Sequence, residues 1–389
     1  MSEYNSSFIV SRRRALARIV GGVIGAAIAA GVGGYFVGSS IGRGEKTVTL
    51  TQRGSEVTRT VFSTVREVVT TTVRAEPVPL SVRITTTQGG IGLAPYHLII
   101  QRYLDGGQEM AKKLGLRVDA FNVVRGTGEA MKELLEGRAD VITGVNVIEA
   151  ARQVEETKGE VKIFYFCEYG NYVSLVVAPN SQYKSIEDLR RVVREGKRLK
   201  VGFSRPGSLT HAYVYILSTI LGTEIGKGIE AVSLGEFDAI VAALNRGEID
   251  CFPWSVSRTF SLEETGKGKI IYYFNEFLGT KWHDLCHVST TSYLQKNKET
   301  VRRFVSYWRE AVRAWMLNPE LSISLMKADP PKGLGLTDSA AKRWYNTLVP
   351  NPLGAPNTDA LKEIEKYGKL IGLLKNPPPV EQWYTTEYL

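Results

Sequence analysis

The chain has 389 residues, 43% of them hydrophobic and 23% charged, an ordinary globular balance with length enough for two domains. Its net charge of +9 is uneven: ten Lys and Arg against five Asp and Glu fall in the first 80 residues, leaving +4 for the other 309. That body has no lysine-rich tract, so a nucleic-acid partner is not expected. Three cysteines, Cys167, Cys251 and Cys286, include no CxxC pair. They support neither a zinc centre nor a redox motif, and buried free thiols are the expectation.

The basic signal belongs to the N-terminus. Ser11-Arg12-Arg13-Arg14-Ala15-Leu16 precede an uncharged, Gly- and Ala-rich run from Ile19 to Val37. At 1.5 Å per residue that run just crosses a hydrocarbon core of ~30 Å. Arginines ahead of it place the N-terminus in the cytoplasm and the body outside. The Ser-Arg-Arg-x-Ala-Leu order matches a twin-arginine export signal. Ala27-Ile28-Ala29 would suit cleavage, and without cleavage the run stays as a membrane anchor; both readings stand. No cysteine follows it, so no lipobox is present. From Glu45 to Val78 the chain is rich in Thr and Val. Val57, Val61, Val65 and Val68 fall at helical spacing, although Thr and Val are poor helix formers. A stalk with a short coiled segment or a disordered linker is expected there.

The body alternates strand and helix. Ser81–Thr87 predicts a strand ending in Gly89-Gly90-Ile91-Gly92, and Pro95 opens a helical stretch to about Leu114. Leu116–Val124 predicts the next strand, Gly126-Thr127-Gly128 a turn, and the following residues a helix to Leu135. Gly137-Arg138-Ala139-Asp140 leads into Val141-Ile142-Thr143, and Asn146 opens another helix. Val161–Phe166 and Val173–Val177 are apolar and β-rich. The pattern restarts with a helix near Ile186–Arg194, a strand Leu199–Phe203, a helix to Leu221, a strand Ile229–Ser233 and a helix Glu236–Leu244. The turn Leu244-Asn245-Arg246-Gly247-Glu248-Ile249-Asp250 repeats the design of Leu135–Val141: glycine closes a helix and an acidic residue enters the next strand. After Ile270–Phe274 the chain turns helical over Lys298–Trp315, Pro319–Met326, Ser339–Tyr345 and Asp359–Leu373. Such alternation implies a parallel sheet with helices on both faces, and two similar units imply two α/β lobes.

Ligands of open α/β sheets sit outside the carboxyl ends of strands. That rule selects Gln88, Gly89 and Gly90 after the first strand, Gly126 and Thr127 after the second, and Gly144 and Asn146 after the third. In the second unit it selects Ser208 and Thr210, with His211 one turn into the same helix. Helix N-termini there present unpaired N–H groups and partial positive charge, so an anionic group on the ligand is preferred. Ser208 and Thr127 have a second reading as simple N-caps. Tyr169 and Trp254, just past strand ends, are candidates for an apolar wall, Trp254 first, although such an aromatic is more often core. His283 and His287 lie four apart, a spacing that shares a helix face. No carboxylate cluster accompanies them, and neither a metal nor any other cofactor is expected.

Gly202-Phe203-Ser204-Arg205-Pro206-Gly207-Ser208, the helix to Leu221-Gly222 and Ala243–Asp250 resemble the second lobe of ABC-transporter solute-binding proteins of the aliphatic-sulfonate, taurine and nitrate group. That group also includes pyrimidine-precursor binders. Leu134–Asp140, Ser174–Val177 with Ser185–Leu189, and Ser289–Lys298 resemble the same family, over roughly Ser81 to Pro319. One departure is Phe252-Pro253-Trp254, where the family has a Trp-x-Pro order. The resemblance implies a periplasmic-binding-protein-like type II fold: two doubly wound lobes joined by crossovers near Val173–Pro179 and Ile271–Leu278. The expected organisation is a signal or anchor at 1–40, a stalk at 41–79, lobe 1 at 80–176 plus 275–389, and lobe 2 at 177–274. It implies a non-enzymatic receptor at the extracytoplasmic face, handing a small ligand to an ABC permease and ATPase. The alternatives are a receptor of a TRAP-type transporter, or an enzyme like the pyrimidine synthases of this fold. The enzyme relies on clustered cysteines, which this chain lacks.

Overall fold

The structure, a computed structural model, describes residues 47–52, 55–60, 80–170, 172–279 and 282–389. The arginine-flanked apolar run and most of the Thr- and Val-rich segment expected to form a stalk, including Val61, Val65 and Val68, lie outside the described residues. Within that segment, β1 (Thr47–Gln52) and β2 (Ser55–Thr60) pair antiparallel, with Leu50 opposite Val57. The helical reading of Val57 is therefore corrected to a strand. Stiff, β-branched Thr and Val favour the pleated surface over the helix.

The body, Pro79–Leu389, holds two five-stranded sheets with one plan. The first contains β3 (Leu80–Thr87), β4 (Leu116–Val124), β5 (Val141–Asn146), β6 (Val161–Phe166) and β12 (Leu285–Thr290), in the order β4-β3-β5-β12-β6. The second contains β7 (Val173–Val177), β8 (Leu199–Phe203), β9 (Ile229–Ser233), β10 (Cys251–Ser255) and β11 (Lys269–Tyr273), in the order β9-β8-β10-β7-β11. Each sheet has a parallel core of three strands, β4-β3-β5 and β9-β8-β10. Into each is inserted one antiparallel strand, β12 beside β5 and β6, or β7 beside β10 and β11. The expectation of purely parallel sheets is thus corrected to mixed ones. The inserted strand arrives from the opposite lobe, so it enters the sheet from the far end of the usual βα direction. The first crossover accordingly lies at 167–172, ahead of β7, and the second at 274–284.

The repeated turns do identical work. Gly137 and Gly247 take φ of +69° and +72°, a region where only glycine is unstrained. Asp140 then receives the backbone N–H of Arg83 at 2.8 Å, and Asp250 that of Lys200 at 2.7 Å. Each carboxylate thereby pins the third strand of its sheet to the first. In the first lobe Arg83 also grips Asp140 through its guanidinium, at 2.6 Å and 3.1 Å.

The predicted helix from Pro95 to Leu114 is interrupted. It splits into Tyr96–Asp105 and Glu109–Lys113, because Gly106 and Gly107 stop the first piece. A short helix, Gln88–Leu93, precedes them. Its backbone lies against β5: a Cβ on Gly90 would stand 2.5 Å from the carbonyl oxygen and 2.9 Å from the Cα of Gly144. Backbone atoms cannot yield, so Gly90→Ala is expected to cost at least the ~1–3 kcal/mol of an overpacked core. A lowered urea midpoint at unchanged slope would show it.

Candidate functional site

The strand directions place the crossovers at the carboxyl ends of both sheets. Leu285, the first residue of β12, pairs with Asn146, the last of β5; Val173, the first of β7, pairs with Ser255, the last of β10. Both sheets therefore turn their βα junctions toward one interlobe cleft. On one side of it, a Cβ on Gly126 would lie 3.3 Å from a guanidinium nitrogen of Arg205; on another, a Cβ on Gly92 would lie 3.5 Å from Ser257 Oγ. These are contacts between lobes, so the cleft is narrow.

On the first lobe Gln88 and Gly89 are exposed. A Cβ on Gly89 would meet nothing within 4 Å, so its backbone borders open space. Gly90 is buried and bonded to Thr87, whose Oγ1 accepts its N–H at 2.8 Å. Thr127 is not a cap. The helix Thr127–Leu135 is capped by Gly126, which has no side chain to offer, so the Thr127 hydroxyl is uncommitted to capping. Asn146 is the N-cap of Val147–Glu156, its Oδ1 accepting from Ile148 and Glu149. The second lobe differs. Ser208 caps Leu209–Leu221 by accepting the His211 N–H at 3.2 Å. Buried Thr210 is held by the Ser204 N–H at 3.0 Å and by the hydroxyls of Ser204 and Ser208 at 2.8 and 2.9 Å. Those two hydroxyls are thus structural in this arrangement. Ser208→Ala is expected to lower unfolding free energy by about 1 kcal/mol, the usual worth of a cap, and a urea titration would detect it.

His211 is half-buried and stacks on Phe203 with ring centroids 4.6 Å apart. Its Nδ1 accepts the Gly207 N–H at 3.2 Å. In the neutral ring the proton therefore sits on Nε2, free to donate. Burial lowers its pKa, favouring that neutral form. Trp254 is partly buried against Phe237, with centroids 5.1 Å apart. Tyr169 lies on the first crossover, its N–H donated to Val349 and its ring 6.0 Å from that of His283.

Arg205 and Arg258 are not among the positions that the strand-end rule selects. Both are exposed, and neither forms an ion pair among the described residues. Arg258 lies over the Phe237 ring at 5.0 Å. Neither Leu209–Leu221 nor Val256–Glu264 has an acidic residue in its first turn. Two helix N-termini and two guanidiniums thus share the second lobe's cleft edge, and Glu236 and Asp238, at the start of the neighbouring helix Phe237–Asn245, are the carboxylates of that edge. The available signal was Arg205 inside the glycine-flanked stretch Gly202–Ser208.

The crossovers carry a buried acidic pair. Asp284 Oδ1 accepts from Trp282 Nε1 at 2.8 Å and from the Tyr213 hydroxyl at 3.1 Å, and Oδ2 accepts the Tyr172 N–H at 2.9 Å. Burial pushes its pKa up to about 6 against these three donors. Glu168 Oε1 accepts the Leu285 N–H at 2.7 Å, while its Oε2 is buried without a partner. Burial, then the neighbouring Asp284, holds Glu168 well above the carboxylate range. Asp284 of the second crossover thus bonds the backbone of the first, and Glu168 of the first bonds Leu285, where the second crossover enters β12.

His283 and His287 do not share a helix: His287 is in β12, buried against Trp308 at 4.0 Å between centroids, and His283 precedes that strand. His283 Nδ1 meets the Glu168 carbonyl at 2.8 Å and Nε2 accepts the Asn357 N–H at 3.0 Å, a neutral tautomer whose pKa burial lowers to about 4. No group of three or more His, Cys, Asp or Glu among the described residues is arranged to hold a metal. The three cysteines are buried and free.

No family model and no curated protein matches the chain. Solved structures do. The chain is similar to a periplasmic sulfonate-binding protein, SsuA, of Methylobacillus flagellatus at TM-score 0.62 and 19% identity, over 80% of this chain and 93% of that one. Against the periplasmic aliphatic sulphonate binding protein SsuA of Escherichia coli the TM-score is 0.59 and the identity 19%, over 79% and 92%. Against the periplasmic nitrate-binding protein NrtA of Synechocystis it is 0.54 at 11% identity, over 78% and 87%. At these identities the likeness is one of fold: the chain has the two-lobed periplasmic-binding-protein fold.

Proposed function

We propose that the chain is an extracytoplasmic solute receptor that closes on a small anionic organic molecule, of sulfonate-, nitrate- or pyrimidine-precursor-like chemistry, and delivers it to an ABC permease and its ATPase. The observation that carries this reading is Arg205 at the cleft edge, exposed and without an ion-pair partner among the described residues. It reaches from the second lobe to the helix start at Gly126 in the first, where the one acidic side chain of the first turn, Glu129, is turned to the Arg125 N–H. An anion seated there would accept charge-assisted hydrogen bonds from Arg205, from the free Nε2–H of His211 and from amides at Gly126–Thr127. Gln88, Gly89 and Asn146 would border it from the first lobe, and Trp254 and Tyr169 would wall it. The same fold accommodates sulfonate in SsuA and nitrate in NrtA, as their names state, which is the chemistry proposed here. The arginine-flanked apolar run would export the body, either cleaved or retained as its anchor.

The test is a thermal-shift and calorimetric panel of alkanesulfonates, nitrate and pyrimidine phosphates against their uncharged analogues, preceded by native mass spectrometry of the purified protein for a carried ligand. Saturable one-to-one binding of an anion is expected. Preference for uncharged ligands, or turnover of the bound compound, would refute the reading.

A further inference from the structure

We infer that the C-terminal segment from Thr337 onward is a strap across the hinge that sets the width of the interlobe cleft, with Arg343 and Trp344 as its positioning residues. This goes beyond the receptor reading and depends on no ligand chemistry.

The segment touches both lobes on both flanks of the crossovers. In the helix Asp338–Thr347 two adjacent side chains take opposite lobes. Trp344 donates its indole N–H to the Gly92 carbonyl at 3.1 Å, in the short helix that begins at the first lobe's cleft edge. Arg343 donates to Glu263 at 3.0 Å and to the Tyr273 hydroxyl at 3.3 Å, and covers the Phe260 ring at 4.1 Å, all in the second lobe. Thr337, the N-cap of that helix, donates to Glu264 of the second lobe.

The chain then runs along the crossovers. Its Val349 carbonyl receives the Tyr169 N–H at 3.0 Å, Asn351 donates to the Cys167 carbonyl at 2.9 Å, and Asn357 donates to His283 at 3.0 Å. Beyond the hinge, the helix Thr358–Leu370 buries Leu361, Ile364 and Tyr367 in a core shared with Ala150 of the first lobe and Leu217 of the second. A Cβ on Gly368 would lie 3.4 Å from Ile148 of the first lobe, and one on Gly207 of the second would lie 3.1 Å from Leu373. The last residues return to the first lobe, where Thr385 donates to the Ile163 carbonyl at 2.9 Å.

A hinge made of two crossovers swings about them, and only contacts off that axis resist the swing. Arg343 and Trp344 are such contacts, since neither Glu263 nor Gly92 belongs to a crossover. Opening the cleft on that side must separate Glu263 from Gly92, and the rigid helical turn holding Arg343 and Trp344 spans the two. Opening on that side therefore has to release the Arg343–Glu263 pair, together with Val256 and Phe260 from the core they share with Trp344.

The test measures lobe separation in the full-length protein without ligand. Nitroxide labels at Lys132→Cys and Lys227→Cys, both well-exposed positions on opposite lobes, report the distance; the native thiols are buried. Arg343→Ala is expected to broaden the distance distribution and shift it by several ångström. Glu263→Gln is expected to do the same while keeping its acceptor for the Ile270 N–H, and it carries the test should Arg343→Ala not fold. A wild-type distribution in the folded variants would overturn the strap. Because no ligand is involved, that result would leave the receptor reading standing, and failure of every anion to bind would leave the strap standing.

Discussion

Asp284→Ala is expected to cost roughly 3–5 kcal/mol of unfolding free energy, the range for breaking a buried charged network by removing one partner. The carboxylate is fully buried and holds three donors from three parts of the chain: Tyr172 of the first crossover, Trp282 of the second and Tyr213 of the helix Leu209–Leu221. Alanine leaves all three donors without an acceptor in a site closed to water. Asp284→Asn is milder, because one amide oxygen still serves Trp282 and Tyr213, but its NH2 then faces the Tyr172 N–H. The pH dependence has a definite sign. A carboxyl raised from 3.8 to about 6 in the fold contributes stability that is complete below the unfolded value and lost as pH rises through the folded one. The stability advantage of wild type over Asp284→Asn should therefore shrink by something on the order of 3 kcal/mol between about pH 4 and pH 8. Guanidinium titrations of both proteins across that range measure it. A constant difference would show that Asp284 does not titrate there. The buried histidines contribute alike to both proteins, whereas Glu168, whose carboxyl is raised in part by Asp284, is relieved in Asp284→Asn, a change of the same sign that adds to the shrinkage.

For Arg205→Ala, a ten- to hundredfold loss of affinity for an anionic ligand is expected, about 1.4–2.8 kcal/mol and in the range of hydrogen bonds to charged groups. The unliganded melting temperature should stay close to wild type. The side chain is exposed, has no ion-pair partner among the described residues and fills no core. Charge reversal in Arg205→Glu should weaken the same ligand further, and added salt should weaken wild-type binding more than that of Arg205→Ala. Calorimetry on the three proteins checks this. Undiminished anion binding by Arg205→Ala would remove the observation on which the anionic reading stands, whereas a large drop in unliganded stability would show that Arg205 has a structural role.

Both expectations rest on residues the sequence brought forward unequally. The two repeated turns, ending in Asp140 and Asp250, are local: a glycine at positive φ followed by an acid bonding the neighbouring strand needs only a few residues to be recognised. The strands Leu116–Val124, Val161–Phe166 and Leu199–Phe203 were legible for the same reason, since β-branched and apolar runs bounded by turn residues state their own period. The junctions after those strands follow from a general rule of open sheets, which selects Gln88, Gly89, Thr127 and Asn146 from the order of strands and helices alone. What each side chain does there was not legible. Ser208 and Thr210 look like ligand donors in sequence but spend their hydroxyls within the lobe, on His211 and Ser204, while Thr127 looks like a cap and is not one.

The amino-acid order by itself determined the alternation of strand and helix, the doubling of the unit and the loops that face the cleft, because these depend on periodicity and on turn chemistry within about ten residues. The tertiary structure alone decided which strands change lobes, that His287 stands in β12 rather than on a helix beside His283, that Asp284 and Glu168 cross-tie the hinge, and that Arg343 and Trp344 reach opposite lobes. Those contacts join residues up to 252 positions apart, as between Trp344 and Gly92. Nothing in a local pattern encodes such a partner; it exists only once packing of the two cores has brought the segments together.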